Sequence, residues 1–115
     1  MCGITGWLYP QGAEPEPEAL ARMAQTIRHR GPDDEGFFRD AAAGVALAHR
    51  RLSIIDLSSA SHQPMVDAAS GVVLAYNGEL YNFQALRREL QALGHAFHSS
   101  GDTEVLLRCY LQWGI

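Results

Sequence analysis

Residues 1–9, MCGITGWLY, place a cysteine directly behind the initiator methionine and ahead of a short, partly β-branched apolar run. Gly3 to Tyr9 predicts a strand, which the Pro-Gln-Gly at 10–12 brings to an end. Chain ends tend to fray unless something holds them. The cysteine is therefore either incidental, or it becomes N-terminal when Met1 is removed and then carries a thiol and a free α-amine on one residue.

Outward from this strand, the first half of the chain predicts one helix and two further strands. Residues 15–30 predict a helix whose apolar face contains Leu20, Met23, Ala24 and Ile27. A Gly/Pro/Asp break follows in HRGPDDEG. Residues 37–40 and 44–55 then predict two strands that meet around a small AAAG turn.

The second half predicts a strand over 71–76, then two helices separated by a short strand. The first helix covers 82–94, with Asn82 as its N-cap and Gly94 as its end. Its inward side chains are predicted to be Leu86, Leu90 and Leu93. Ala96 to His98 predicts the short strand, and a second helix starts near Asp102. Strands and helices that occur in runs, without strict alternation, indicate an α+β layered fold.

Composition restricts the class of protein. The 115 residues are 47% hydrophobic and 19% charged, which is typical of globular proteins and excludes a disordered chain. A net charge of −4 without a basic stripe argues against nucleic-acid binding. No run approaches the ~20 apolar residues of a membrane span, and no signal-peptide pattern is present. Two cysteines are too few for a disulfide scaffold, so we expect a cytoplasmic, reducing location.

Cys2 is the first candidate for chemistry. An α-amine has an ordinary pKa of ~7.7 to 8.0, well below the ~10.4 of a lysine amine. It can accept a thiol proton near neutral pH, so an N-terminal cysteine combines nucleophile and base in one residue. Position alone leaves this possibility and an incidental cysteine equally open.

The remaining candidates each have an ordinary structural alternative. Asn77 and Gly78 offer an amide and an unobstructed N–H to an oxyanion, but Asn-Gly between apolar runs is also a strong hairpin signal. Arg51 could bind a carboxylate, and Asp102 with Glu79 could bind an ammonium group. Asp102 could equally be a helix N-cap, and the others solvated charges. The sequence contains no recognised metal-ligand spacing and no glycine-rich phosphate loop.

Four motifs taken together are more specific than any of these residues alone. They are MCGITG, HRGPDDEG, LAHRRLSIIDLS with HQPM, and YNGELYNFQALRREL with SSGDTEVLL. In this order they resemble the glutaminase domain of the asparagine synthetase (glutamine-hydrolysing) family. That domain is a class II glutamine amidotransferase, a group of N-terminal-nucleophile hydrolases.

The resemblance implies a role for each matching position. Cys2 corresponds to the catalytic nucleophile, and Asn77 with Gly78 to the oxyanion hole. Arg51 corresponds to the arginine that binds the glutamine α-carboxylate, preferred over Arg50 because RLS follows it. The substrate-binding stretch runs through Leu52, Ser53, Ile54 and Ile55, while Glu79 and Asp102 correspond to the groups that receive the α-ammonium.

The resemblance also implies the fold and the partners. The family domain is an αββα four-layer sandwich, of which residues 1–115 are expected to be the N-terminal part. The remainder of that domain and the ATP-dependent synthetase domain are expected to lie outside the chain. The glutaminase reaction needs no cofactor or metal; ATP and Mg belong to the synthetase domain. Glutamine and that synthetase domain are the implied partners, and a homodimer stays open.

Two functional hypotheses follow. In the first, the chain hydrolyses the glutamine side-chain amide and delivers ammonia for an asparagine-synthetase-like transfer. In the second, it is a non-catalytic fragment that binds glutamine or makes a protein contact.

Overall fold

The computed structural model of the chain describes residues 1–10, 12–14, 16–54 and 56–115. These residues form two compact units. The first contains Met1–Ser53 and His62–Asn77, and the second contains Ile54–Ser61 and Gly78–Ile115. None of the helices in the described ranges has the length and apolar character that crossing a bilayer requires.

The first unit is built on a three-stranded antiparallel sheet with a helix packed against it. The strands are β1 (Gly3–Leu8), β2 (Asp34–Asp40) and β3 (Val45–Arg51), and β3 is central. Helix α1 (Pro17–Thr26) packs on β1 and β3. The sheet therefore places the start of β1 beside the end of β3, since the two strands run in opposite directions.

The core of this unit lies between α1 and β3. Leu20 and Ala24 of the helix pack against Ala46 and Ala48 of the strand, and all four side chains are buried. The predicted apolar helix face is confirmed, because Met23 and Ile27 are also partly buried on it. Small residues on β3 let the helix approach the sheet closely.

A two-stranded hairpin completes the first unit, at a different place from the one the sequence suggested. Strands β4 (Met65–Val66) and β5 (Val73–Leu74) pair around a turn that contains Asp67 and Ser70. The alternative of a hairpin at Asn77-Gly78 is wrong, because no strand follows β5 up to the start of the next helix. The strand predicted over 71–76 is correspondingly only two residues long.

The second unit pairs helix α2 (Phe83–Ala92) with helix α3 (Asp102–Trp113). Leu90 is fully buried and Leu86 is partly buried, as predicted, but Leu93 is 53% exposed and its inward prediction is wrong. Asn82 does precede α2, although its side chain makes no capping hydrogen bond. Gly94 ends this region as predicted, with a positive φ of 97° that favours glycine.

The short strand predicted at Ala96 to His98 is absent from this described segment. The His98 N–H is donated to the Glu104 carboxylate instead of to a neighbouring strand. Helices and antiparallel strands together agree with the predicted α+β class. The four-layer sandwich remains an expectation from the resemblance.

Candidate functional site

Cys2 lies at the start of β1, against the segment that follows β3. The antiparallel register pairs Gly3 with Arg50, so the residue before Gly3 meets the chain just beyond β3. The Leu52 N–H is donated to Sγ of Cys2 over 3.3 Å, and the thiol lies 3.7 Å from the Leu52 carbonyl oxygen. Nε of Arg30 donates to the Cys2 carbonyl over 3.1 Å. The cysteine is thus held at both its side chain and its backbone, while Met1 ahead of it is 75% exposed.

The two neighbouring arginines of β3 have different surroundings, because successive side chains of a strand point to opposite faces. Arg50 donates from Nε to the Gly31 carbonyl over 3.0 Å and forms an ion pair with Glu35. Its guanidinium therefore holds the chain that leads into β2. Arg51 is also buried, at 7% exposure, and directly precedes the Leu52 that contacts the thiol. These contacts engage the Arg50 guanidinium within the first unit, while the carboxylate-binding role of Arg51 stays a prediction.

The HRGPDDEG motif supports the end of β3. Asp33 donates its N–H to the Arg51 carbonyl over 3.0 Å, and its carboxylate accepts the Ser53 N–H over 2.8 Å. Gly31 passes so close to the backbone of Arg50 and Arg51 that a Cβ atom there would overlap it. The motif therefore fixes the backbone from Arg51 to Ser53, where substrate-binding groups are expected.

The backbone just ahead of Asn77 is bound by two buried side chains. The Tyr76 N–H is donated to Oε1 of Gln63 over 2.6 Å, and the Tyr76 carbonyl lies 3.0 Å from Nε2 of His49. A carbonyl oxygen can only accept, so Nε2 of His49 is the donor and carries the proton. Burial lowers the pKa of His49, which keeps the ring neutral in that tautomer. Asn77 itself is exposed.

In the second unit, Asp102 contacts the segment that begins with Gly78 and Glu79. Oδ2 of Asp102 accepts the Leu80 N–H over 2.8 Å. Asp102 is 7% exposed, whereas Gly78 and Glu79 are exposed. Its alternative role as helix N-cap is wrong, because the N-cap position of α3 is Gly101 and Asp102 is the first helical residue. Its carboxylate fixes the backbone beside Glu79.

Two carboxylates that the sequence did not single out hold the loop ahead of Asp102. Glu104 accepts the N–H and the hydroxyl of Ser99, each over 2.7 Å. Although burial raises the pKa of Glu104, the hydrogen bonds from Ser99 and His98 outweigh it and keep the pKa below its usual range. Asp56 accepts the Ser100 N–H over 2.8 Å. No local signal sets either residue apart, since Glu104 follows another acidic residue in SSGDTEVLL and Asp56 lies in RLSIIDLSS.

The predicted site residues divide between the two units. The first unit brings Cys2 together with the chain that carries Arg51, Leu52 and Ser53, and it also contains Asn77. The second contains Gly78, Glu79 and Asp102 with the 63%-exposed Ile54. Ile55 lies outside the described residues. Within the described part of the chain, no group of three or more His, Cys, Asp or Glu side chains could hold a metal ion.

Comparison with known proteins places these residues in a family. A family model described as "Glutamine amidotransferase domain" matches residues 1–115. Asparagine synthetase [glutamine-hydrolyzing] 3 of Bacillus subtilis (strain 168) is 41% identical over 116 residues, which cover 98% of this chain and 18% of that protein. Asparagine synthetase [glutamine-hydrolyzing] 1 of the same strain is 43% identical over 114 residues, covering 96% of the chain and 17% of the relative.

A putative asparagine synthetase [glutamine-hydrolyzing] of Mycobacterium bovis (strain ATCC BAA-935 / AF2122/97) is 39% identical over 129 residues, covering 99% of this chain and 20% of that protein. The chain thus spans about a fifth of the length of these curated relatives. The match to the domain model extends along the whole chain and includes both units described above. The chain belongs to the glutamine amidotransferase domain family.

Proposed function

We propose that the chain hydrolyses the side-chain amide of glutamine, with Cys2 as the nucleophile after Met1 is removed. The Cys2 α-amine takes the thiol proton, and Sγ attacks the amide carbon. The C–N bond then breaks, ammonia leaves with a proton returned by the α-amine, and a glutamyl thioester remains. Water attacks this thioester, which releases glutamate and restores the thiol.

The observation that carries this proposal is the contact between Sγ of Cys2 and the Leu52 N–H, at 3.3 Å. It joins the candidate nucleophile to the residue directly after Arg51, in a segment that Asp33 also supports. A carboxylate bound by Arg51 would hold the substrate next to the sulfur. Such positioning converts a bimolecular attack into an effectively intramolecular one.

Other groups in the proposal bind the rest of the substrate. The Asn77 side-chain amide and the Gly78 N–H stabilise the oxyanion that forms when the carbonyl is attacked. Glu79 and Asp102 receive the α-ammonium group. An exposed Met1 supports the required processing, because an aminopeptidase needs access to that residue.

In the whole protein, we propose that the ammonia is transferred to an acceptor in a reaction of the asparagine synthetase type. The curated relatives carry that activity in their names, and the matched residues cover only 17% to 18% of their length. The synthetase portion would use ATP and Mg, act as a ligase, and be the partner of this domain. A cytoplasmic location and N-terminal-nucleophile chemistry belong to the same proposal.

The test compares the two cysteines of the chain, Cys2 and Cys109. Both are free and partly buried, but Cys109 lies on α3, where burial and then Glu89 raise its pKa. A glutamine analogue with an electrophilic side-chain carbon should label Cys2 in wild-type protein. Cys2→Ser should lose both labelling and glutamate release, whereas Cys109→Ser should retain both. Glutamate release that survives in Cys2→Ser would overturn the proposal.

A further inference from the structure

Tyr76 lies beyond the end of β5, and side chains bind both of its backbone polar groups. Gln63 accepts its N–H over 2.6 Å, and His49 donates to its carbonyl over 3.0 Å. Gln63 is 5% exposed and His49 is fully buried. The two peptide groups that flank the Tyr76 Cα are therefore each held by a side chain distant in sequence, and His49 holds the one that leads into Asn77.

His49 is a costly residue at its position, which points to a specific role. It lies on β3 directly after the small core residue Ala48, and its Nδ1 is buried without a hydrogen-bond partner among the described residues. An unpaired buried acceptor is destabilising, so an apolar side chain of similar size would suit packing better. The hydrogen bond to Tyr76 is the contribution that such an apolar residue could not make.

His49 also connects two parts of the candidate site in the first unit, the strand that leads to the Cys2 contact and the backbone that leads to Asn77. It lies two residues before Arg51 on β3, and the backbone beyond Arg51 contacts Cys2 through Leu52. On its other side it binds the residue that precedes Asn77. One imidazole thus ties the backbone that carries Asn77 to the strand that positions the thiol.

We propose that His49 and Gln63 are positioning residues that fix the two peptide groups flanking the Tyr76 Cα and thereby hold the Asn77 amide in place to receive the oxyanion. The inference rests on the proposed glutaminase function and deepens it. The two residues touch no reacting atom. They restrict the direction in which the chain leaves Tyr76, and so restrict where the Asn77 side chain can reach.

The test is steady-state kinetics of glutamate release by variants of the purified protein. His49→Leu removes the donor, and we expect kcat to fall ~10- to 100-fold, since a donor displaced by about 1 Å can cost that much. KM for glutamine should change little, because Arg51, Glu79 and Asp102 are intact. His49→Gln keeps an N–H at similar reach and should recover most of the lost kcat.

Alkylation of Cys2 by iodoacetamide separates positioning from general damage. This reaction occurs at a saturated carbon and needs no oxyanion donor, so its rate should match wild type in His49→Leu. Gln63→Met, which removes the acceptor, should repeat the kcat loss, and Gln63→Glu should retain more activity. If His49→Leu does not fold, the Gln63 pair provides the comparison.

The outcomes distinguish the two proposals. Wild-type kcat in both His49→Leu and Gln63→Met would overturn the positioning role and leave the glutaminase function intact. So would a loss confined to KM, or an alkylation rate that falls in parallel with kcat. Wild-type protein that folds, lacks Met1 and releases no glutamate would overturn both proposals.

Discussion

Asp56 should stabilise the second unit by accepting hydrogen bonds from three serines. It is 7% exposed, and its carboxylate accepts the Ser58 N–H over 2.8 Å, the Ser61 hydroxyl over 2.9 Å and the Ser100 N–H over 2.8 Å. Asp56→Asn keeps the shape but replaces one acceptor oxygen with an NH₂ group. That group faces donors, so at least one buried donor loses its partner.

Each hydrogen bond to a charged acceptor contributes ~1.5 to 3 kcal/mol, and an unpaired buried group costs a similar amount. We therefore expect Asp56→Asn to lower the free energy of unfolding by ~2 to 4 kcal/mol at pH 7. Asp67→Asn is the matched control, because Asp67 also accepts an N–H and a hydroxyl from a serine, but in an exposed turn. Its cost should stay below ~1 kcal/mol, since water can replace those bonds. Urea unfolding followed by circular dichroism measures both.

The same contacts predict a pH dependence. Hydrogen bonds from Ser58 outweigh the effect of burial and, with those from Ser100 and Ser61, hold the pKa of Asp56 well below its usual range. The folded state therefore binds this proton less readily than the unfolded state, whose aspartate pKa is ~3.9. The stabilisation is complete above that value and is lost as pH falls. The difference between wild type and Asp56→Asn should shrink between about pH 5 and pH 2. Equal stability at pH 7, or a difference independent of pH, would refute the reasoning.

Two of three further predictions separate residues that look alike in the sequence, and the third concerns a close backbone contact. Arg50→Met should lower the free energy of unfolding by only ~1 to 2 kcal/mol, because the Glu35 carboxylate that it pairs with is half-exposed. The KM of the folded protein for glutamine should stay unchanged. Arg51→Met should instead raise that KM more than tenfold in the glutaminase assay, about the effect of ~1.4 kcal/mol of lost binding. Leu90→Ala should lower the free energy of unfolding in urea by ~2 to 5 kcal/mol, because Leu90 is fully buried. Leu93→Ala should lower it by less than ~1 kcal/mol, because Leu93 is half-exposed; equal losses would contradict the observed burial. Gly31→Ala should yield little folded protein, because its Cβ overlaps backbone; a wild-type melting temperature would contradict this.

Local sequence patterns predicted the elements whose stability comes from a single apolar face. The spacing of Leu20, Met23, Ala24 and Ile27 identified α1 and the face it buries. Gly94 marked the end of the α2 region, because few residues other than glycine adopt a positive φ. The four motifs also led to the family through resemblance, without any knowledge of the tertiary contacts.

Two of the wrong predictions concern backbone groups that are bound by side chains from elsewhere in the chain. Asn77-Gly78 looked like a hairpin, but the backbone just before it is bound by Gln63 and His49. His98 looked like part of a strand, but its N–H goes to Glu104. Such side-chain contacts have no period of 2 or 3.6, so pattern reading cannot detect them. The roles of the candidate site residues stay predictions of the family resemblance.

The most direct test of the central claim is mass spectrometry of the N-terminal peptide after rapid acid quench of protein mixed with glutamine. We predict a peptide that begins at Cys2, lacks Met1, and carries one glutamyl group on the cysteine as a thioester. Release of glutamate by protein that retains Met1, or a glutamyl group found on Cys109 instead, would contradict the claim that Cys2 supplies both the thiol and the α-amine.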